Sequence, residues 1–114
     1  MANRGTVNGK TVLSNSAWES FHDKPTMGNL FGEVGGYNFT QGGIVKFEEE
    51  NNSGRSGFFG WQGYGGSVFQ WHPELQIGFG YVPTLLEWYS ADNNKARLLQ
   101  AEVVSCLNRK HSKV

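Results

Sequence analysis

The sequence has a single cysteine, few prolines and no excess of either charge, and these shortages exclude several classes of protein. Cys106 alone cannot form a disulfide within the chain, which excludes a disulfide-rich secreted scaffold. Ten basic residues balance ten acidic ones, so there is no electrostatic basis for binding nucleic acid or an anionic membrane surface. No apolar run approaches the roughly 20 residues of a membrane helix, and residues 1–10 lack the apolar segment of a signal peptide.

What the sequence does contain is enough length for one small domain, with many glycine and aromatic residues. The 114 residues, with a mass of 12.7 kDa, suffice for one hydrophobic core and not for two. Sixteen glycines and an aromatic content of 14% are typical of strands joined by tight turns rather than of a helical bundle.

The beginning of the chain predicts a hairpin followed by a short helix. Asn8-Gly9 lies between short β-forming stretches, which is the strongest short-range hairpin pattern. A helix is expected over Ser14–His22, capped by Ser16 with Glu19 in a capping box or, alternatively, by Ser14. The Lys-Pro pair that follows ends the helix. Three side chains would line one side of it: Trp18, Phe21 and His22.

Glycine recurs every few residues from 27 to 43, and strands are expected between the glycines. Tyr37–Thr40 is flanked by glycine pairs and predicts a strand, which Ile44–Phe47 would continue after a kink or bulge. Glu48–Arg55 contains no apolar residue and predicts an exposed loop, in which the acidic run is solvated rather than catalytic.

Residues 57–82 predict an antiparallel hairpin. One face of its first strand would carry Ser67, Phe69 and Trp71, and the other Val68 and Gln70. A turn at His72-Pro73-Glu74 leads into Leu75–Val82, in which apolar residues alternate with Gly78 and Gly80. The bare glycines predict that something packs close to that face or that the strand bends there.

The last part of the chain predicts a long helix, capped by Asp92 or Asn93 and ended by basic residues. Its apolar positions recur at spacings of three and four: Ala96, Leu99, Val103 and Leu107, widened by Leu98, Val104 and Cys106. So wide a stripe needs a sheet to cover. We therefore expect an α+β fold, with a three-stranded antiparallel piece, a short helix before it and a long C-terminal helix across it.

Residue types that carry chemistry are present, but not at the spacing that catalysis or metal binding needs. The histidines are His22, His72 and His111. None has a second His or Cys at ligand spacing, so we expect ordinary surface histidines, no metal and no cofactor. Cys106 is expected to be a small buried apolar residue. Asn38 and Asn51 begin glycosylation sequons, but no secretory signal accompanies them.

The stretch FFGWQGYGGSVFQWHP, followed by LQIGFGYVPT, carries short motifs in a specific order. They are Trp61-Gln62-Gly63, Tyr64-Gly65-Gly66, His72-Pro73-Glu74 and Gly78–Val82. In this order they resemble the C-terminal section of the serine β-lactamase and penicillin-binding-protein family, in its class C-like, esterase and carboxypeptidase branch. Upstream, Gly9–Phe21 is similar to the family's segment in which a strand ending in Leu-Ser opens a helix.

The resemblance implies the C-terminal part of the β-lactamase/transpeptidase-like fold, with residues 1–114 as a single partial domain. In the family the Trp-x-Gly strand borders the active site. Trp61 would form an apolar wall there, and Gly63 would let the strand lie against the bound acyl group. An oxyanion hole needs donors beside the developing charge, and the resemblance implies that the backbone N–H of Tyr64 is one of them. Trp61 in place of lysine fits esterase-like members.

Two motifs of the family are absent. The family's nucleophile is the serine of Ser-x-x-Lys, whose lysine helps to deprotonate it, and no serine here has a lysine three positions later. Tyr-x-Asn or Ser-x-Asn is also missing, because Tyr37-Asn38 has the residues at the wrong spacing. Both motifs precede this section in the family, so we expect substrate-binding residues but no catalytic residue in this chain.

The sequence thus predicts a fragment or truncated member of a β-lactamase-related serine hydrolase family, inactive alone, whose complete relatives cleave esters, amides or lactams. Expected partners are the missing N-terminal part of the same domain or a second copy, because an incomplete sheet leaves an open edge and an apolar face. The alternative is a non-catalytic interaction domain that binds protein or carbohydrate through exposed aromatic residues such as Trp61, Trp71 and Trp88.

Overall fold

The computed structural model describes residues 1–28, 37–48, 55–63, 65–86 and 94–112. It is a small α+β domain with a two-stranded and a six-stranded antiparallel sheet, as the sequence predicts for the fold class. The elements in chain order are β1 (Thr6–Val7), β2 (Lys10–Thr11), α1 (Asn15–His22), β3 (Thr26–Gly28), β4 (Tyr37–Phe39), β5 (Val45–Lys46), β6 (Phe59–Gln62), β7 (Val68–His72), β8 (Ile77–Tyr81) and α2 (Asn94–His111). Neither described helix is long and apolar enough to cross a membrane.

The first hairpin forms where the sequence predicts it. Strands β1 and β2 pair antiparallel, with Thr6 opposite Thr11 and Val7 opposite Lys10. Both turn residues have positive φ, 49° at Asn8 and 76° at Gly9, which are the angles that a two-residue hairpin turn requires. Asparagine and glycine are the residues that adopt this conformation at the lowest cost.

Helix α1 begins after Ser14, which is the alternative cap predicted from the sequence. Ser14 is the cap: its Oγ accepts a hydrogen bond from the backbone N–H of Ala17 at 3.2 Å. The capping box from Ser16 to Glu19 is therefore wrong, since Ser16 lies inside the helix and Glu19 accepts from the side chain of Asn15 at 2.8 Å. The helix ends at His22 as predicted, with Asp23 as its C-cap before the Lys-Pro pair.

The main sheet is larger than predicted, with six strands in the order β3-β4-β5-β6-β7-β8 rather than three. Val45–Lys46 does not continue the preceding strand through a bulge but turns back to pair with it, Phe39 opposite Val45. The reversal is a tight turn closed by a hydrogen bond from the Thr40 N–H to the Ile44 carbonyl at 2.8 Å. Gly43, at φ 77°, supplies the left-handed residue of that turn.

Strand register assigns opposite faces of this sheet to α1 and α2. Gln70 lies opposite Phe79 on one face, and Gln100 of α2 donates a hydrogen bond to its side chain at 2.8 Å. The next residue, Trp71, points to the other face, where its indole N–H bonds His22 of α1. We call these the α2 face and the α1 face. The core on the α2 face consists of Val45, Phe47 and Phe58, with Tyr37, Phe39, Ile77, Phe79 and Val104 packed against it.

Helix α2 presents a different set of side chains to the sheet from the predicted stripe. Ala96 and Gln100 are its most buried residues, each 1% exposed, and Val104 packs on the core. Leu99 is 52% exposed, and Cys106 is exposed rather than a buried apolar residue. The predicted stripe is rotated because the Gln70–Gln100 hydrogen bond turns a polar residue inward. The predicted caps, Asp92 and Asn93, lie outside the described residues.

The glycines of β8 do not mark a close contact. A Cβ atom built on Gly78 or Gly80 would meet nothing within 4 Å. The expectation that something packs against these positions is therefore wrong for the described part of the chain. The hairpin of β7 and β8 itself forms as predicted, with Val68 opposite Tyr81 and His72 opposite Ile77. The loop predicted over Glu48–Arg55 falls mostly on residues that the structure does not describe.

Candidate functional site

The Trp-x-Gly motif lies at the end of β6. The indole of Trp61 is 38% exposed, and its ring centroid is 6.1 Å from that of Phe39. Gln62 is anchored, because its Oε1 accepts a 2.8 Å hydrogen bond from Arg55, whose side chain is buried and lies over the ring of Phe47. The motif therefore has one solvent-accessible aromatic side chain beside a tethered polar one. Tyr64, the predicted oxyanion donor, lies outside the described residues.

A tight turn follows the motif and leads into β7. The Gly63 N–H donates to the Ser67 carbonyl at 2.7 Å, and the Gly66 N–H donates to the Gly63 carbonyl at 3.2 Å. Gly65 and Gly66 have φ of 95° and 110°, a conformation that residues with a side chain rarely adopt. The backbone conformation of this turn therefore requires glycine at two of the motif positions, 65 and 66.

Nothing in the described fold requires glycine at position 63. Its φ is not positive, and an added Cβ would lie 3.4 Å from the Cβ of Ser67, which is an ordinary van der Waals contact. At Gly60 the added Cβ would lie 2.2 Å from the Phe69 carbonyl oxygen, so glycine is required there. The described structure therefore has room for a side chain at position 63. Because the residue there is glycine, the backbone is uncovered.

A groove of about 440 Å³ lies on the α1 face of β7 and β8, next to the N-terminal residues. Its lining is Met1, Ala2, Asn3, Val7, Phe69, Gln70, Trp71, Gly78, Phe79 and Gly80. The open glycines Gly78 and Gly80 lie directly opposite Trp71 and Phe69 in the register. Phe69 is 67% exposed, so this groove is a mostly apolar surface open to solvent.

His22 is not the surface histidine that the sequence predicts but is 7% exposed. Its Nδ1 lies 2.7 Å from the carbonyl oxygen of Trp18, and its Nε2 lies 2.8 Å from the indole nitrogen of Trp71. Burial lowers its pKa; the Trp18 carbonyl opposes this shift, while the amino group of Met1 and the guanidinium of Arg4 add to it. Sequence reasoning placed His22 beside Trp18 on α1 but could not detect Trp71, which is 49 residues away.

His72 is also partly enclosed. It accepts a 3.2 Å hydrogen bond from the Leu75 N–H through Nδ1, which closes the predicted turn between β7 and β8. Its ring stands edge-on to Phe58 at 5.0 Å and fills the space where Gly57 lacks a side chain. Burial lowers its pKa, against raising contributions from a hydrogen bond with the Ser56 backbone and from Glu74. These contacts give His72 a structural role in the turn.

The remaining candidates are dispersed. Asn38 lies within β4, in the strand that the sequence predicts, where its side-chain amide donates to Glu48 at 3.2 Å. Cys106 lies on the surface of α2 beside Glu102 and Arg109, whose 2.7 Å ion pair is exposed. The hydrogen bond from Arg109 lowers the pKa of Glu102. Within the described ranges, no group of three or more His, Cys, Asp or Glu side chains could hold a metal ion.

Comparison of the chain with protein-family models, with curated proteins and with solved structures finds no match. The motifs in the sequence and the geometry of the described residues are therefore what supports a function.

Proposed function

We propose that this chain is the C-terminal section of a β-lactamase-related serine hydrolase domain and supplies one wall of its acyl-binding site. The observation that carries the proposal is the bare backbone of Gly63, two residues after the exposed Trp61 at the end of β6. A strand that must lie against a bound acyl group needs such a position, and nothing in the described fold requires glycine there.

The proposed roles divide between the three motif residues. Trp61 forms the apolar wall, Gly63 admits the acyl group, and the backbone N–H of Tyr64 is one of two donors to the oxyanion. The other donor and the nucleophile come from a preceding section of the domain, because no serine in this chain has a lysine three positions later. The chain alone is therefore inactive.

Open surfaces in the sheet support an incomplete domain. In the described part of the chain, no strand pairs with the outer side of β8, which is the last of the six. Large apolar side chains are exposed at several positions, including Phe69, Val82, Leu85 and Leu86 at 67%, 81%, 74% and 70%. A strand edge and apolar surface of this kind are the parts of a sheet that a neighbouring segment covers.

Transcript sequencing across the locus tests whether the missing section exists. We expect an in-frame Ser-x-x-Lys upstream, followed by Tyr-x-Asn or Ser-x-Asn. The extended chain should hydrolyse p-nitrophenyl esters and become labelled by a fluorophosphonate on the Ser-x-x-Lys serine, while residues 1–114 alone show neither. An in-frame stop codon just upstream of a translated 12.7 kDa product would contradict the proposal.

Substitution of Gly63 then tests the wall itself. In the extended chain, Gly63→Val should lower kcat/KM by about tenfold or more, because its side chain would occupy the position of the acyl group. The matched control is Gly78→Val, also at an open glycine but on β8 and away from the motif. Equal activity of the two variants would remove Gly63 from the site.

Self-association gives a second test of the open edge. Residues 1–114 should dimerise or aggregate at micromolar concentration. The edge of β8 is unpaired, and two chains without net charge do not repel each other. Gly78→Lys, which places a charge on that edge, should suppress association in sedimentation experiments without unfolding the protein. A sharp monomer over a hundredfold range of concentration would favour a self-sufficient domain instead.

The second candidate function is a non-catalytic interaction domain. The exposed ring of Phe69 in the groove on the α1 face of β7 and β8 favours it. The prediction that Trp71 is an exposed binding residue is wrong, because Trp71 is 4% exposed and lies under α1. Trp88 lies outside the described residues. Phe69→Ser should abolish binding to a carbohydrate or peptide array, with Val12→Ser, at an exposed valine outside the groove, as the matched control. Equal binding by both variants would reject this function.

A further inference from the structure

The imidazole of His22 is enclosed by aromatic rings from three elements. The ring of Trp18, one turn earlier in α1, stacks on it with centroids 3.8 Å apart and an interplanar angle of 23°. Phe59 of β6 and Trp71 of β7 stand edge-on to it at 4.8 Å and 5.8 Å, and Phe21 does so at 5.4 Å. No charged group occurs among these ring contacts.

The hydrogen bonds of His22 admit one protonation state. An indole N–H can only donate, so the 2.8 Å contact with Trp71 requires an unprotonated Nε2 on His22. A carbonyl oxygen can only accept, so the 2.7 Å contact with Trp18 requires a proton on Nδ1. The imidazole is therefore neutral, in the Nδ1–H tautomer. A second proton, on Nε2, would face the indole N–H and break that bond.

We propose that His22 is a proton-sensitive latch, which holds α1 and the N-terminal residues against the α1 face of the sheet when neutral and releases them when protonated. The bond from Trp71 to His22 is a side-chain hydrogen bond that joins α1 directly to a central strand of the sheet. Besides this bond, the packing of Trp18, Phe21 and His22 holds the helix, and backbone N–H groups of the β4–β5 turn donate to the carbonyls of Phe21 and Asp23 at the helix end.

The latch extends to the N-terminal residues through Trp18. The indole N–H of Trp18 donates to the Met1 carbonyl at 2.9 Å, and the guanidinium of Arg4 lies 4.8 Å from its ring centroid. Arg4 also contacts Glu74 at 3.4 Å, an exposed pair that contributes little by itself. Since Met1, Ala2 and Asn3 line the groove beside Trp71, release of α1 would widen it.

The charges around His22 all act in the same direction. Burial makes protonation unfavourable, and the guanidinium of Arg4 on the N-terminal side repels an added charge. The Trp18 carbonyl favours the protonated ring but already accepts from the neutral one. From β6 and β7 the ring meets only Phe59 and Trp71.

The sign of the pH dependence follows from the lowered pKa. An unfolded histidine titrates near its ordinary pKa of 6.5, whereas His22 in the folded chain titrates below it. Between these two values the released state binds more protons than the latched state, so the latched state loses stability as the pH falls. One linked proton shifts the equilibrium by up to about tenfold for each pH unit in that window.

Nuclear magnetic resonance on residues 1–114 tests the latch without any mutation. Long-range ¹H–¹⁵N correlation should identify the Nδ1–H tautomer for His22, with a titration midpoint below the ordinary histidine pKa of 6.5. Backbone amides in α1 should lose protection from exchange by up to about tenfold per pH unit as the pH falls below 6.5, while those of β7 and β8 lose less. The Nε2–H tautomer, or a His22 midpoint at or above 6.5, would overturn the proposal.

Variants separate His22 from the other histidines. His22→Phe keeps the ring and should remove the pH dependence of α1 protection, whereas His111→Gln should leave it unchanged. His72→Gln controls for the second histidine with a lowered pKa, and should leave the dependence in α1 intact. If His22→Phe fails to fold, Trp71→Phe serves instead: loss of the indole donor should move the His22 midpoint to higher pH. An unmoved midpoint in Trp71→Phe would overturn the proposal.

Discussion

The two faces of the six-stranded sheet are covered very differently. The α2 face carries a buried cluster of Val45, Phe47 and Phe58, all 5% exposed or less, beneath the long helix. The α1 face is covered over Phe59 and Trp71 by a helix of eight residues. Beyond that helix, Phe69 remains 67% exposed.

This difference shows how the two helices are held. Apolar burial holds α2, together with one buried amide–amide hydrogen bond between Gln70 and Gln100. A histidine–tryptophan hydrogen bond inside an aromatic cluster fixes α1. Apolar burial does not change with pH, whereas protonation of His22 would break its bond to Trp71, so the proposed latch makes the attachment of α1 weaken as the pH falls.

Removal of a phenylalanine from each face should give the largest contrast. Phe58→Ala should lower the free energy of unfolding by about 3–5 kcal/mol, because a ring that is 1% exposed leaves a cavity. Phe69→Ala should change it by less than about 1 kcal/mol, since that ring is mostly in solvent. Urea denaturation measures both. Equal losses would mean that the α1 face is also covered.

The glycines of the sheet provide the next contrast. Gly60→Ala should cost about 2–4 kcal/mol, because the added Cβ would clash with the backbone of β7 and φ is 137°. Gly78→Ala should leave stability unchanged or raise it by up to about 1 kcal/mol, since its Cβ enters open space. Thermal unfolding of both variants checks this. A destabilised Gly78→Ala would reveal a neighbour on that face.

The cap of α1 tests how firmly the smaller helix is held. Ser14→Ala should cost about 1 kcal/mol, because the Ala17 N–H would lose its acceptor. Ser16→Ala, inside the helix, should cost less than about 0.5 kcal/mol. Chemical denaturation of the two variants would distinguish the observed cap from the predicted capping box, and the opposite order of losses would restore the latter.

The smallest effect is expected at Leu99 of α2. Leu99→Ala should cost less than about 1 kcal/mol, against about 2–5 kcal/mol for a buried leucine, because the side chain is 52% exposed. Leu98→Ala, at 72% exposure on the same helix, is the matched control and should behave similarly. A loss above 2 kcal/mol at Leu99 alone would show that the helix is rotated toward the stripe predicted from sequence.

Local features of the fold were predictable, and those that depend on distant partners were not. The Asn8-Gly9 hairpin, the end of α1 and the β7–β8 pair follow from turn residues and alternation within a few positions. The rotation of α2 and the burial of His22 depend on Gln70 and Trp71, which are far away in the chain. For the candidate site, the sequence predicts the motif but not which of its glycines the fold requires.

The sequence by itself determined the α+β class, the short hairpin and the presence of two helices, because these follow from the local preferences of glycine, asparagine, serine and proline. It also determined that no Ser-x-x-Lys nucleophile is present. Tertiary structure alone decided that Val45–Lys46 forms a separate strand, that Gly63 is bare without structural need and that His22 accepts from Trp71. Each of these depends on atoms brought together across the sheet, and local sequence preferences carry no information about such contacts.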